Sequence, residues 1–186
     1  VYEFDEASGS LKNLITSTPE TDGLGTFTEA NITGTPDYAQ TALVTQSTNS
    51  VGFAAGEYGA VNTGYPQPGA GDSMSVSVWL EPSSYPASTE FFLGSFRTDL
   101  ARRSWRLRLN STGTLQAEWS NNGTSSSFSG VSSAIPTDAP THVVWVYDND
   151  TDFSRLYING ELIATNGNGG DMFQPNVGMY LNAVYA

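Results

Sequence analysis

The dipeptide Asn159-Gly160, set between Arg-Leu-Tyr-Ile and Glu-Leu-Ile-Ala, restricts this chain more than any other feature of it. A two-residue type I′ turn needs positive φ at both central positions, which Asn and Gly tolerate. The dipeptide therefore predicts a hairpin of fixed register, with Ile158 opposite Glu161, Tyr157 opposite Leu162 and Leu156 opposite Ile163. Upstream, residues 141–147 (Thr-His-Val-Val-Trp-Val-Tyr) are dense in the β-branched and aromatic types that suit a pleated, packed surface. Residues 148–154 between these runs hold four carboxyl or amide side chains and no apolar run, so the chain turns there. Residues 140–164 read as three consecutive strands with no room for a helix.

Two further segments carry the same signature. Met74, Val76, Val78 and Leu80 alternate with Ser75, Ser77 and Trp79, the period of a half-buried strand. Residues 105–109 and 115–119 fold about Thr112 into a hairpin that sets Trp105 opposite Trp119, Leu107 opposite Ala117 and Leu109 opposite Leu115. The other face then pairs Arg106 with Glu118 and Arg108 with Gln116, so both faces make chemical sense in one register. Further strands are expected at 2–5, 42–45, 51–53, 91–96 and 177–184. Residues 16–41 read as irregular loops with one weak strand near 25–27. Residues 56–72, with Tyr-Pro-Gln-Pro-Gly, read as loop, and 166–170 as a glycine-rich turn. The Ser/Gly/Asn-rich run 121–133 reads as a loop or a strand with a mobile approach. No segment sustains a 3.6-residue period, so helix content should be minimal.

Several of these segments together resemble a known family. Thr141-His142-Val143-Val144, Tyr147-Asp148, Leu156-Tyr157-Ile158-Asn159-Gly160 and Leu162-Ile163-Ala164 are similar to the signature of laminin-G-like, concanavalin A-like jelly-roll domains. Tyr2 to Gly9 resembles the opening strand of that family, and Met74 to Pro82 its Phe-Thr-Ile-Ser-Ala-Trp-Val-Lys-Pro strand. The resemblance implies an all-β fold, a two-sheet antiparallel jelly-roll sandwich, over residues 1–186 as one domain. The fold hosts lectins, glycosidases, adhesion modules and virion proteins alike, so it does not by itself assign a function. The family's closing Asp-Glu-Val strand has no counterpart before Ala186. That departure leads to the expectation of a longer parent chain, with the last strand supplied by that chain or by a partner.

Composition narrows the partners. Net charge is −12, with Lys12 the only lysine and six arginines. An acidic surface argues against nucleic acid and anionic lipid, both of which need a basic footprint, and favours cations or neutral glycans. With 38% hydrophobic and 12% aromatic residues the chain can bury a real core. The absence of cysteine excludes disulfides and thiol chemistry, and no apolar run approaches a membrane span.

Catalysis finds little support. Glu3 and Asp5 share a strand face, but Glu6 falls on the opposite one, and glycoside hydrolysis needs converging carboxylates. His142 is the only histidine and no Gly-x-Ser-x-Gly elbow accompanies it, so a structural, hydrogen-bonded role fits it better than a triad. Glycan binding needs exposed aromatic platforms with hydrogen-bonding neighbours. The candidates are Trp79, Tyr85, Trp105 and Trp119, with Arg102, Arg103, Arg106 and Asn121. Trp105 and Trp119 could equally be core, and Arg106 with Glu118 a cross-strand ion pair. The metal candidate is Ca²⁺ at Asp148, Asn149, Asp150 and Asp152, oxygen donors packed into one turn, against the alternative of Asx-rich turn residues that need no ion.

The reading is a non-catalytic extracellular recognition module, binding a glycan or cell-surface polysaccharide through the concave sheet or its rim loops. The alternative is a structural module of a virion exterior or cell-surface assembly, acting by self-association or contact with parent-protein domains.

Overall fold

Strict alternation in the strand Thr141–Asp148 organises the fold: Thr141, Val143, Trp145 and Tyr147 are buried, while His142, Val144, Val146 and Asp148 face away from the core. The computed structural model describes residues 31–33, 37–41, 49–54, 57–61, 70–97, 102–129, 133–174 and 178–181. In chain order the strands are β1 (Asn31–Thr33), β2 (Asp37–Thr41), β3 (Asn49–Gly52), β4 (Tyr58–Val61), β5 (Met74–Leu80), β6 (Glu90–Arg97) and β7 (Arg102–Leu109). They continue with β8 (Leu115–Trp119), β9 (Ser127–Ser129), β10 (Thr141–Asp148), β11 (Phe153–Ile158), β12 (Glu161–Gly167) and β13 (Met179–Leu181). No helix occurs among the described residues, so none there is long and apolar enough to cross a membrane.

A seven-stranded sheet of order β1-β4-β13-β6-β7-β8-β9 packs on a four-stranded sheet of order β12-β11-β10-β5, and β2 pairs with β3 apart from both. All pairings are antiparallel, the jelly-roll sandwich expected from the sequence. The larger sheet sends Leu93, Trp105, Leu107, Leu109, Leu115, Ala117 and Trp119 inward. The smaller sends Val143, Trp145, Tyr147 and Leu156 to meet them, and Met74, Val76, Val78 and Leu80 pack alongside. At its centre the indole of Trp145 lies 5.9 Å from that of Trp105 and 6.4 Å from that of Trp119, and its Nε1 donates to Ser154 Oγ at 2.7 Å.

Both predicted hairpins are present. The β7–β8 register matches at all five pairs, from Trp105 opposite Trp119 to Leu109 opposite Leu115. At Asn159-Gly160 both residues have positive φ, 51° and 83°, as a type I′ turn requires. Ile158 faces Glu161 and Tyr157 faces Leu162, but Leu156 faces Ala164 rather than Ile163, because a β-bulge takes up Ile163. Other expectations need correction. The presumed loop 56–72 contains β4, and the presumed irregular stretch 16–41 contains β1 and β2. These strands are short and poor in apolar alternation; β4 is held by β1 and the distant β13, whereas β2 pairs with the next strand, β3. β12 runs two residues into the expected turn at 166–170. The expected strands at 2–5 and 42–45, and the weak one near 25–27, lie outside the described residues.

Candidate functional site

The four-stranded sheet turns one face to the core; on the other, Ser75, Ser77, Trp79, Phe153, Leu162 and Thr165 are exposed. On that outer face Trp79 of β5 lies opposite His142 of β10, and the two rings stack at 4.7 Å with 19° between their planes. The His142 Nε2 and Ser77 Oγ are hydrogen-bonded at 2.8 Å, which fixes the imidazole beneath the indole. Backbone hydrogen bonds from the hairpin turn hold the same residue: His142 N donates to Asn159 Oδ1 at 2.9 Å, and Asn159 N donates to the His142 carbonyl at 2.8 Å. Trp79 therefore presents one ring face to solvent, 43% exposed, on a rigid strand with a rigid backing. Further along, Val144 is flanked by Ser77 and Tyr157, and Tyr157 by Leu162. At the far end Phe153 faces Asp148 and is backed by the Arg155 guanidinium, 5.4 Å from its ring centroid. Of the large apolar side chains exposed among the described residues (Trp79, Tyr85, Phe153 and Leu162), three share this face.

The other glycan candidates scatter. Trp105 and Trp119 are core residues, 2% and 0% exposed, so neither can meet a sugar; their strands alternate with Leu107, Leu109 and Ala117 inward, and the indoles follow. Trp119 Nε1 donates to the Asn168 carbonyl at 2.9 Å inside the protein. Tyr85 is exposed, but its ring lies against Gly113, filling the space a side chain there would need, and its hydroxyl donates to the Ile135 carbonyl. Asn121 ties loops together through its Nδ2, which donates to Gly170 O, Asp171 O and Tyr147 Oη. Arg102 and Arg103 are half-buried at the start of β7, and the Arg103 guanidinium lies 5.9 Å from the Phe96 ring. Arg106 stacks on the buried Phe96 at 4.0 Å and bonds Glu118 at 2.6 Å, with Arg108 reaching the same carboxylate at 3.2 Å. The cross-strand ion pair is thus real and mostly covered; it belongs to the sheet and does not open to a ligand.

The acidic turn is satisfied at Asp148, while the Asn149 Oδ1 is buried without a hydrogen-bond partner. Asp148 accepts from the Thr151 hydroxyl and backbone and from Arg155 Nη1 at 3.1 Å, contacts that hold its carboxyl below the usual carboxylate range. Asn149 Nδ2 donates to Asp171 Oδ1, and Asp150 and Asp152 are exposed. Among the described residues no group of three or more His, Asp or Glu converges on one point.

Against this geometry the sequence was compared with known proteins. A laminin-G model described as the concanavalin A-like lectin/glucanases superfamily matches residues 55–181, more than half of the 186. The chain belongs to that superfamily. No curated protein matches it. Among solved structures, the receptor binding domain of botulinum neurotoxin mosaic serotype C/D is similar with a TM-score of 0.62 at 17% identity, over 96% of this chain and 43% of the toxin chain. Domain 4 of the arabinanase AbnA of Geobacillus stearothermophilus is similar with a TM-score of 0.58 at 21% identity, over 83% of this chain and 73% of that one. The superfamily domain spans less than half of the toxin chain, and at these identities the likeness is one of fold.

Three features of this superfamily domain escaped the sequence reading. Phe153 and Leu162 on the open face were not singled out, although the hairpin register with Leu156 inward already turns Leu162 outward. Asn168, 1% exposed, carried no signal at all; it locks the 166–170 turn by donating from Nδ2 to the Asp148 carbonyl and accepting at Oδ1 from Gly170 N. Tyr147 is buried with its hydroxyl donating to the Gly170 carbonyl, and burial pushes its phenol up to about 12, against a smaller opposing pull from the Asn121 hydrogen bond. Its native pKa lies above the ordinary value of 10, so the folded state keeps a proton that the unfolded chain releases between the two values. Stability therefore falls as pH rises through that window. Thermal melts from neutral pH to about 12 should show Tyr147→Phe losing less stability at the alkaline end, while costing about 1 kcal/mol at neutral pH through the lost hydroxyl bonds.

Proposed function

We propose that this domain is a non-catalytic carbohydrate-binding module working outside the cell, and that its ligand seats on the outer face of the four-stranded sheet at Trp79. The observation that carries this reading is the Trp79 indole, stacked on His142 and open on its other side. An immobilised aromatic ring offers an apolar plane to the C–H face of a sugar without losing side-chain entropy on binding, and Ser77, Tyr157 and Asn159 around it supply hydrogen-bonding groups. The fold lends support: the arabinanase domain is described in complex with arabinotriose, and the toxin domain as receptor-binding. The acidic overall charge of −12 favours an uncharged ligand.

A glycan array tests the proposal. The wild-type domain should select a subset of glycans, and Trp79→Ala should weaken the best of them by about 2 kcal/mol, roughly thirtyfold. Trp79 lies outside the core, so its replacement should leave the melting temperature nearly unchanged and the comparison clean. A blank array, or unchanged binding in Trp79→Ala, would refute the assignment.

A further inference from the structure

We infer that the ligand is an uncharged linear polysaccharide lying along the strands, gripped at two aromatic platforms, Trp79 at one end of the sheet face and Phe153 at the other. This inference rests on the carbohydrate reading above and adds the class and extent of its ligand. Trp79 faces His142, and Phe153 faces Asp148, six residues further along the same strand β10. At about 3.3 Å per residue the platforms stand about 20 Å apart, room for on the order of four sugar rings end to end.

The two platforms are built alike. Each ring is exposed, 43% for Trp79 and 42% for Phe153, and each is backed on one side by a neighbour that holds it, His142 beneath the indole and Arg155 beside the phenyl. Between them run the half-buried Val144, Val146 and Tyr157, flanked by the exposed hydroxyls of Ser75, Ser77 and Thr165. Apolar planes at both ends with hydroxyls between match a polymer whose rings alternate C–H faces and hydroxyl rims. A terminal sugar would need a closed pocket, and this face is an open strip.

Charge decides the class. The strands of this face carry one anion and one cation, Asp148 and Arg155, paired at 3.1 Å, and the exposed Asp150 and Asp152 of the β10–β11 turn add negative charge beside Phe153. In a chain of net charge −12 this strip offers, among the described residues, no unmatched guanidinium of the kind that a uronic or sialic acid carboxylate would require, and its acidic end would repel one.

The test uses affinity electrophoresis of the domain through gels containing linear arabinan, β-mannan or mixed-linkage β-glucan, with polygalacturonate as the acidic comparison. Calorimetry then follows with size-graded oligosaccharides of whichever neutral polymer retards it. Affinity should rise about tenfold or more from the disaccharide to the tetra- or pentasaccharide and then level off. Phe153→Ala should remove that rise while leaving disaccharide binding alone, and Trp79→Ala should abolish both. Both side chains are exposed, so unchanged melting temperatures verify folding. If the disaccharide binds as tightly as the pentasaccharide and Phe153→Ala is silent, the extended track is wrong while the carbohydrate reading survives. Retardation by polygalacturonate alone overturns the neutral class. No retardation together with a blank array overturns both readings, as does a concentration-dependent dimer that Trp79→Ala dissolves.

Discussion

Trp145→Ala should lower the stability of this domain by about 3–5 kcal/mol, which for a chain of this length moves the melting temperature down by roughly 10–15 °C. Trp145 is fully buried between the sheets, with Trp105, Trp119 and Tyr147 all within 6.4 Å between ring centroids. Truncation removes those ring contacts together with the Nε1 bond to Ser154, and leaves a cavity the size of an indole that two rigid sheets cannot close. Against a typical total of about 5–15 kcal/mol, that loss leaves little margin at physiological temperature. Urea titration followed by tryptophan fluorescence and far-ultraviolet dichroism reads it directly. A loss below about 1 kcal/mol would mean that the aromatic cluster is not the centre of the fold.

Gly94→Ala should cost about 3 kcal/mol, an unusually large effect for one methyl group. A Cβ at Gly94 would sit 2.6 Å from both Arg106 Cβ and the Trp105 carbonyl oxygen, and 2.7 Å from Arg106 Cα. Two of those three atoms are backbone of the neighbouring strand, so a rotamer change cannot relieve the clash, and β6 and β7 must separate. The missing side chain has a positive use as well. It leaves room for the Arg106 Cβ beside β6, while the guanidinium lies 4.0 Å from the Phe96 ring and bonds Glu118 on β8. The same urea titration on Gly94→Ala should show the midpoint falling with little change in slope, the pattern of a destabilised but intact fold.

Where local chemistry determines structure, the sequence was readable. The β7–β8 register could be read because its five pairs match in kind on both faces, and the Asn159-Gly160 turn because few residues tolerate its dihedrals. Trp79 was separable in principle from Trp105 and Trp119: it alternates with Met74, Val76 and Val78 on the serine face of β5, whereas the other two share their face with leucines. What could not be read is what comes together across long stretches of chain. β5 meets β10 some sixty residues later, and only that pairing puts Trp79 on His142. β4 became a strand through β13, over a hundred residues away, although its own Tyr-Gly-Ala-Val is a weak local signal. The acidic turn is a similar case: nothing local shows that Arg155, seven residues beyond Asp148 and across the β10–β11 turn, pairs with that carboxylate.

The bulge that absorbs Ile163 bears on the shape of whatever lies along the outer face. Bulges sharpen the right-handed coiling of a strand pair, on top of the roughly 20–25° by which neighbouring strands already rotate. The strands that carry the two platforms, β5 and β11, lie on either side of β10, so the twist of the sheet turns them relative to one another, and a stiff, flat lattice follows that turn less well than a flexible chain. A single solvated strand free to wind with the sheet can reach both, so this geometry selects loose chains over packed ones.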